Sequence, residues 1–322
     1  MLNPIKIGLS SITLTALLAS CGAGSNDTTN GYVYLVLDSN VVQQCQVVNN
    51  AVNAANCKNM AGSFNSPTAI AFDGSKTYAY VANSGNNTLS MCTLNSDKSF
   101  NQCETLTLGA TLNAPTSLAV SNNNIYIANN NSTVTTCDIN DNGSLTSCNN
   151  TSVNQTLKSI TIQNNNSLYG LTNSRKIYSY QLPSMANTEV NYNESGMSNQ
   201  INFNPTNNLL YIAARNNPLI GGGIYGCNTN SNPATCTTAF STLELILPLP
   251  AVAPMYTIAT NNTQAYFIDY ALMNVAQIDS YATLINSCSI DGNGAFTNCT
   301  ASVLSANKPS DNAKITLTYL PI

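Results

Sequence analysis

The sequence predicts an all-β protein, and specifically a β-propeller of six blades with four antiparallel strands in each. Charged residues make up only 7% of the chain and hydrophobic residues 43%, a mix that suits short strands joined by polar turns. A four-segment pattern also recurs about every 45 residues, and local pairs of cysteines recur with the same period. These three observations favour a repeated β-architecture over helices or separate domains.

The repeat is clearest between residues 67 and 148. One copy comprises segments 67–72, 78–83, 87–92 and 100–103, and the next comprises 115–120, 125–129, 132–137 and 145–148. Each segment is short, rich in β-branched or aromatic residues, and bounded by Asn, Gly, Asp or Ser, so each is predicted to be a strand of a meander. Four such strands in one repeat match the size of a propeller blade.

Weaker copies extend the repeat along the chain, a fourth over 159–180, a fifth over 200–236 and a sixth over 256–299. In the fourth copy Tyr180 stands where the others have their first cysteine, and the second cysteine is missing as well. The joint loss of both members indicates that the two cysteines of a copy bond to each other.

The two ends of the chain are expected to share a blade. The first copy begins at residue 31 with second and third strands, 32–36 and 41–45, whereas segment 314–319 resembles a first strand with nothing to follow it. A C-terminal strand that completes the N-terminal blade would close the ring and remove its open edges. Residues 31–322 are therefore predicted to form a single propeller domain.

The N-terminal segment predicts export. A weakly basic start is followed by the apolar stretch 7–19, which is too short to span a bilayer. Leu18-Ala19-Ser20-Cys21 resembles the bacterial lipobox, which implies a signal peptide over 1–20, a lipid on Cys21 and a flexible tether over 21–30. Gly22 fits sorting to the outer membrane, on its periplasmic or surface face. A plain secretory signal with an unrelated cysteine is the alternative.

The remaining cysteines are predicted to form disulfides between the third and fourth strands of their copies. An odd total with one lipidated thiol and five local pairs is typical of an oxidising compartment, although buried free thiols are an alternative. Neither C-x-x-C spacing nor any histidine is present, so no metal or other cofactor is expected. The predicted pairs are Cys45 with Cys57, Cys92 with Cys103, Cys137 with Cys148, Cys227 with Cys236, and Cys288 with Cys299.

Two segments carry a resemblance to known propellers. Tyr80-Val81-Ala82-Asn83, followed by 86–89, and Tyr126-Ile127-Ala128-Asn129, followed by Asn131, resemble YVTN-type repeats and, more loosely, the seven-bladed lactonase-like propellers. The resemblance implies the propeller fold rather than a particular activity. The paired cysteines, the count of six blades and the lack of histidine depart from those relatives.

The sequence offers no catalytic residue. Net charge is −4 and the basic residues are dispersed, so nucleic acid is not an expected partner. Segment 138–143 matches the start of an EF-hand loop, but its twelfth position is Asn149, and Cys137 and Cys148 flank it. A hairpin turn is therefore predicted there, as at the equivalent 96–98 and 291–294.

Two enlarged connections suggest a functional surface. The loops between second and third strands are expected to span 215–223 and 269–283, and the apolar segment 245–254 is either an exposed contact or a buried connection. Three functions fit: an envelope scaffold that binds a protein or carbohydrate, a lactonase-like hydrolase or lyase, or an outer-membrane assembly factor. The candidate binding residues are Arg215, Asp269, Tyr270, Asp279 and Tyr281.

Overall fold

The computed structural model describes residues 29–37, 40–121, 123–163, 166–192, 197–215, 222–230, 234–241, 257–275, 278–305 and 316–322. The predicted signal peptide, Cys21 and the apolar segment 245–254 lie outside these residues. Within the described part, the strands form six sheets of four antiparallel strands, and no helix is found. The prediction of a six-bladed, all-β propeller is confirmed.

We number the sheets as blades 1 to 6 and give the strands of each from the axis outwards. Blade 1 contains β24 (Thr316–Pro321), β1 (Thr29–Leu37), β2 (Val41–Val48) and β3 (Ala51–Asn59). Blade 2 contains β4 (Pro67–Phe72), β5 (Tyr78–Asn83), β6 (Thr88–Leu94) and β7 (Phe100–Thr105). Blade 3 contains β8 (Ser117–Ser121), β9 (Asn124–Ala128), β10 (Thr133–Ile139) and β11 (Leu145–Ser152).

The second half of the ring repeats this order. Blade 4 contains β12 (Leu157–Gln163), β13 (Ser167–Thr172), β14 (Ile177–Gln181) and β15 (Ala186–Val190). Blade 5 contains β16 (Met197–Asn204), β17 (Leu209–Arg215), β18 (Gly222–Asn228) and β19 (Thr235–Ser241). Blade 6 contains β20 (Thr257–Thr260), β21 (Gln264–Val275), β22 (Ile278–Ile290) and β23 (Phe296–Ser305).

The C-terminal strand closes the ring, as predicted. Strand β24 pairs with β1 from Gly31 opposite Pro321 to Val36 opposite Thr316. It also lies between the inner strands of the flanking blades, β20 and β4. Strand β1 starts at Thr29, inside the segment that the sequence predicts to be a tether. Joining the two ends within one sheet ties blade 1 together from opposite ends of the chain.

A tyrosine recurs at one position in the second strand of every blade. Each is the register partner of an inner-strand residue, for example Tyr80 opposite Ala71 and Tyr211 opposite Asn202. The rings are buried, and burial raises the pKa of Tyr211 to about 12. The six tyrosines are Tyr34, Tyr80, Tyr126, Tyr169, Tyr211 and Tyr266.

Several of these tyrosines fasten one blade to the next. The Tyr80 hydroxyl donates a 2.8 Å hydrogen bond to the Gly143 carbonyl, in the turn between the third and fourth strands of blade 3. Tyr211 donates in the same way to Gly294 of blade 6, at 3.1 Å. Both accepting glycines have positive φ, 78° and 84°. The phenols are thus buried with a partner, which makes burial of a polar group tolerable.

The five predicted disulfides are present, and each joins the third and fourth strands of its blade. Their Cα–Cα distances are 4.0 to 4.1 Å. Cys92 lies directly opposite Cys103 in the register of β6 and β7. In blade 4 the corresponding pair is Tyr180 and Asn187, and the Tyr180 ring is fully buried. The structure therefore explains the missing cysteines of this copy as an aromatic replacement.

One sequence expectation is wrong. Segment 269–283, expected to be a loop, is mostly strand, because β21 and β22 remain paired from Asp269 opposite Leu284 to Val275 opposite Ile278. The segment contains β-branched and aromatic residue types that favour continuation of the ladder. In blade 5, β17 and β18 pair as far as Arg215 opposite Gly222, and residues 216–221 lie outside the described part.

The predicted turns are confirmed at all three places. The backbone N–H of Gly143 donates to the Asn140 carbonyl, and the Gly294 N–H donates to Asp291. The Lys98 N–H closes the equivalent turn of blade 2 on Asn95. The EF-hand-like segment is thus a hairpin turn. Among the described residues, no helix is long and apolar enough to cross a membrane.

Candidate binding site in the central channel

The six inner strands enclose a cavity of about 370 Å³ on the propeller axis, and all six contribute to its wall. The lining consists of aliphatic side chains interspersed with Ser, Thr, Asn and Gln. An inner strand is also a sheet edge, so alternate backbone N–H groups point away from its own sheet. The hydrogen bonding of these N–H groups determines what the channel can bind.

Side chains of the preceding blade accept many of these hydrogen bonds. The Ile160 N–H donates to Ser117 Oγ across the junction of blades 3 and 4, at 3.0 Å. Between blades 4 and 5, the Ile201 N–H donates to Ser159 Oγ and the Phe203 N–H to Thr161 Oγ1, at 3.2 and 3.1 Å. A short polar side chain at alternate inner-strand positions thus satisfies the exposed edge of the next strand.

The same arrangement continues through blades 5, 6 and 1. Gln200 Oε1 accepts from the Ile258 N–H at 3.2 Å, and Asn202 Oδ1 accepts from the Thr260 N–H at 3.2 Å. The Leu317 N–H of β24 donates to Thr257 Oγ1 at 2.9 Å. These contacts tie the closing strand to blade 6 as well as to blade 1.

At the next junctions the hydroxyls donate to carbonyls instead. Thr316 Oγ1 donates to the Thr68 carbonyl at 2.6 Å, and Thr318 Oγ1 donates to Ile70 at 3.1 Å. Thr68 in turn donates to the Pro115 carbonyl at 2.7 Å. The hydrogen bonds described thus bridge five of the six pairs of adjacent inner strands, and Thr68 joins β4 to Pro115, which precedes β8.

Alanines interrupt this pattern in blades 2, 3 and 6, where Ala71, Ala119 and Ala259 lie opposite the second-strand tyrosine. Blade 2 has a second alanine, Ala69, on the same strand. Ala69 and Ala71 of blade 2 occupy the places that Ser117 and Ala119 occupy in blade 3, and Ser159 and Thr161 in blade 4, relative to the second-strand tyrosine. An alanine side chain has no acceptor to offer. Between blades 2 and 4, fewer backbone N–H groups therefore have a side-chain acceptor than between blades 4 and 6.

The charged residues of the lining are Asp73 and Lys76, in the turn between β4 and β5. The Asp73 carboxylate accepts from the N–H groups of Thr77 and Tyr78 at 2.8 and 2.6 Å, and from the N–H and hydroxyl of Ser75. Lys76 Nζ donates to the Pro321 carbonyl at 3.2 Å. The carboxylate is thus occupied by its own turn, whereas the ammonium group has a neutral partner.

The described wall of the channel carries few ionisable side chains. Asp73 is the one carboxylate among the described lining residues, so this wall holds no pair of acids for general acid–base work. The described residues also include no group of three or more His, Cys, Asp or Glu side chains that could hold a metal ion. The groups that this wall offers to a ligand are mainly the backbone N–H groups of the inner strands.

The candidate binding residues lie elsewhere on the ring. Arg215 ends β17, Asp269 and Tyr270 belong to β21, and Asp279 and Tyr281 belong to β22. The pairing of β21 with β22 places the last four on one extended hairpin. That hairpin continues from the end of blade 6 opposite to the turns that carry Asp73 and Lys76. The side chains of these five residues lie outside the described part, so the proposed surface stays a prediction.

The channel was not identified from the sequence, although a signal was present. Ser159-Ile160-Thr161 and Gln200-Ile201-Asn202 alternate polar and apolar residues in strands that a propeller places at its axis. That alternation indicates polar side chains directed at a neighbouring blade.

Solved structures similar to this one are β-propellers. A chain of the nidogen/laminin complex aligns with a TM-score of 0.64 and 12% identity over 89% of this chain and 98% of its own. A Lactobacillus plantarum protein aligns with a TM-score of 0.51 and 12% identity, over 90% and 99%. Virginiamycin B lyase from Staphylococcus aureus, solved with quinupristin, aligns with a TM-score of 0.50 and 13% identity, over 76% of each chain.

Identities this low show a shared fold alone. No family model matches the sequence, and no curated protein matches it either. The fold and the channel together define the class: a closed six-bladed β-propeller with a hydrogen-bonded inner ring and disulfide-bonded outer strands.

Proposed function

We propose that this protein is a lipid-anchored binding scaffold of the bacterial envelope, with a protein or carbohydrate ligand. The observation that carries the proposal is the rigid ring itself, closed by its own C-terminal strand and bridged by five disulfides. Disulfides in five of six blades indicate an oxidising, extracytoplasmic compartment. A rigid scaffold that displays loops at its rim is a common platform for recognition.

Two further observations support binding over catalysis. Asp73, the carboxylate of the described channel wall, is already held by the donors of its own turn. In addition, a propeller of similar fold was solved in a complex of nidogen with laminin, which gives the architecture a precedent in protein recognition. The hairpin of β21 and β22 is the place where we propose that the partner binds, through Asp269, Tyr270, Asp279 and Tyr281, with Arg215 beside it.

The anchor is tested by mass spectrometry of the protein extracted from membranes of its native host. We expect the mature chain to begin at Cys21 and to carry acyl chains, and the Cys21→Ser variant to be released from the membrane fraction. A mature N-terminus elsewhere, or an unmodified Cys21, would refute the lipid anchor and leave simple secretion.

The binding surface is tested by photo-crosslinking in intact cells. A photoreactive amino acid at Tyr270 or Tyr281 is expected to give a discrete crosslinked envelope component. The matched control is Asn142, which is exposed in a turn at the opposite end of the blades. Equal products from all three positions, or none from the hairpin, would count against the proposed surface.

A further inference from the structure

We propose that the central channel binds a small organic anion through a carboxylate held by backbone N–H groups of β8 and β12. This site is separate from the rim hairpin and goes beyond the scaffold function. It rests on the cavity, on the backbone donors of its wall and on the charge at its mouth.

The donors are identified by comparing equivalent positions around the ring. In blade 5, Ile201 and Phe203 flank the residue opposite the second-strand tyrosine, and both of their N–H groups donate to side chains of blade 4. In blade 3 the corresponding residues are Leu118 and Val120, which flank Ala119 opposite Tyr126. Their N–H groups therefore point in the same direction, towards blade 2.

Blade 2 meets these donors with alanines. Ala69 and Ala71 pack in one apolar cluster with Leu118, which confirms that the two alanines face blade 3. A serine or threonine there would accept from the Leu118 and Val120 N–H groups, as Ser159 and Thr161 accept in the next blades. Because alanine has no acceptor, a ligand in the channel can accept hydrogen bonds from these two N–H groups.

A third donor lies in blade 4, and we call the N–H groups of Leu118, Val120 and Ile162 the donor arc. Ile162 follows Thr161, the residue opposite the second-strand tyrosine, just as Phe203 follows Asn202 in blade 5. The residue of blade 3 that would accept from the Ile162 N–H is Ala119, which has no acceptor. Leu118, Val120 and Ile162 all line the cavity, as do the alanines beside them. Three backbone donors on adjacent strands thus face one side of the channel.

The charge of the mouth favours an anion. Lys76 lines the same cavity and donates to a neutral carbonyl, that of Pro321. The Asp73 carboxylate is held by three backbone N–H groups and the Ser75 hydroxyl of its own turn, so it is not paired with the Lys76 ammonium group. An acceptor that carries a full charge makes stronger hydrogen bonds to N–H groups than a neutral one, which offsets its desolvation.

The size of the cavity restricts the ligand. A volume of about 370 Å³ lies near the lower limit of small-molecule pockets, roughly 300 to 1,000 Å³. A sugar acid or a hydroxy acid fits this volume, whereas a folded partner does not. The anion is expected to enter beside Lys76, where the cavity meets the turn between β4 and β5.

The test is a titration of the ¹⁵N-labelled full-length protein with sodium glucuronate, followed by the amide resonances of the channel. Glucose is the matched neutral probe. We expect saturable shifts at Leu118, Val120 and Ile162, with glucuronate bound at least about tenfold more tightly than glucose, equivalent to about 1.4 kcal/mol. Unmoved resonances with glucuronate, or equal affinity for both probes, would overturn the proposal.

A variant separates the donor arc from the rest of the channel. Ala71→Thr supplies the acceptor that Thr161 supplies in blade 4, so glucuronate should bind at least about tenfold more weakly because the Val120 N–H is already used. Ala186→Thr, the same substitution on the exposed outer strand β15, is the matched control, with unchanged affinity. Wild-type affinity in a folded Ala71→Thr protein refutes the donor arc.

A second variant tests the charge. Lys76 has a φ of 58°, a conformation that Asn also tolerates, so Lys76→Asn should preserve the turn. This variant should lose most of the preference for glucuronate over glucose while still binding glucose. A preference equal to that of the wild type would show that no anion site exists at this mouth.

Discussion

Blades 3 and 4 are adjacent in the ring and have four strands each, yet the hairpin of their third and fourth strands, the outer hairpin, is held together in different ways. In blade 3 the Cys137–Cys148 disulfide joins β10 to β11, and Tyr80 of blade 2 binds the Gly143 carbonyl in the turn. In blade 4 the buried ring of Tyr180 takes the place of the disulfide. Glu189 on its outer strand accepts from Lys176 and Tyr178, both at the surface of the sheet.

The repeat therefore specifies the pairing of the second and third strands more strictly than the chemistry that joins the third strand to the fourth. The Tyr180 position pairs with Leu168 on one side and Asn187 on the other, just as Cys137 pairs with Ile125 within its blade. The second and third strands thus keep their register with or without the covalent bond. The third and fourth strands do not, because their pairing shifts at Cys137 in blade 3 and is regular in blade 4. We therefore expect the two outer hairpins to differ in resistance to unfolding as well as in this local register shift.

The largest expected effect comes from removing the blade 3 disulfide. A bridge that closes a loop of about a dozen residues contributes roughly 3 kcal/mol in the chain-entropy account. Cys137→Ala with Cys148→Ala should lower the free energy of unfolding by about that amount, measured by denaturant titration without reductant. Amide exchange in β11 should then resemble that in β15. A loss below about 1 kcal/mol would show that packing alone secures blade 3.

The next effect comes from the turn that Tyr80 contacts. Gly143 has a φ of 78°, and an added Cβ would lie 2.7 Å from the Met91 sulfur and from the Tyr78 ring. Gly143→Ala should therefore cost about 2 kcal/mol, from the left-handed backbone and the close approach together. Gly292→Ala is the matched control, because its added Cβ meets nothing within 4 Å. Similar thermal unfolding of both variants would contradict this account.

A smaller effect compares two buried hydroxyls. Tyr80→Phe removes the hydrogen bond to Gly143 and leaves that carbonyl unsatisfied, which should cost about 1 kcal/mol. The Tyr180 hydroxyl is buried without a hydrogen-bond partner among the described residues, so Tyr180→Phe should be neutral or stabilising. Both variants can be measured by the same denaturant titration. A greater loss for Tyr180→Phe would mean that its hydroxyl has a structural role.

The features that the sequence predicts are those formed by residues close together in the chain or in the same repeat. The blades, the closing strand and the five disulfides follow from segments that recur in order, and a local pair such as Cys137 and Cys148 is visible without a structure. The sequence also shows that Tyr180 stands at the position of a cysteine, because that position is fixed within the repeat.

The rest depends on contacts between blades. The second-strand tyrosines recur in the sequence, but the carbonyl that Tyr80 binds lies 63 residues away in another sheet. The proposed channel donors are backbone groups, so the sequence shows them only through the alanines that stand in place of their acceptors, Ala69, Ala71 and Ala119. The extension of β21 and β22 was missed because pairing, rather than composition alone, decided whether 269–283 is loop or strand.

The smallest expected effect concerns the ion pair of blade 4. The hydrogen bond from Lys176 lowers the pKa of Glu189 below its ordinary value of 4.5, so the folded state favours the ionised carboxylate. The ion pair therefore stabilises the folded state at pH values above the pKa of Glu189 in the unfolded chain. This stabilisation is lost as the pH falls through the lower pKa of Glu189 in the folded protein.

Because both side chains are exposed, salt should screen most of this pair. Glu189→Gln should leave unfolding at pH 7 almost unchanged and flatten a slight loss of amide protection in β15 below pH 4.5. Lys58 and Asp97, a pair between blades 1 and 2 with both side chains about half exposed, provide a comparison through Asp97→Asn. The Asp97 carboxylate also accepts from Ser99, so that variant is expected to have the larger effect of the two. A large destabilisation by Glu189→Gln that persists in 1 M NaCl would mean that blade 4 depends on its ion pair, rather than on the buried Tyr180 ring, where blade 3 depends on its disulfide.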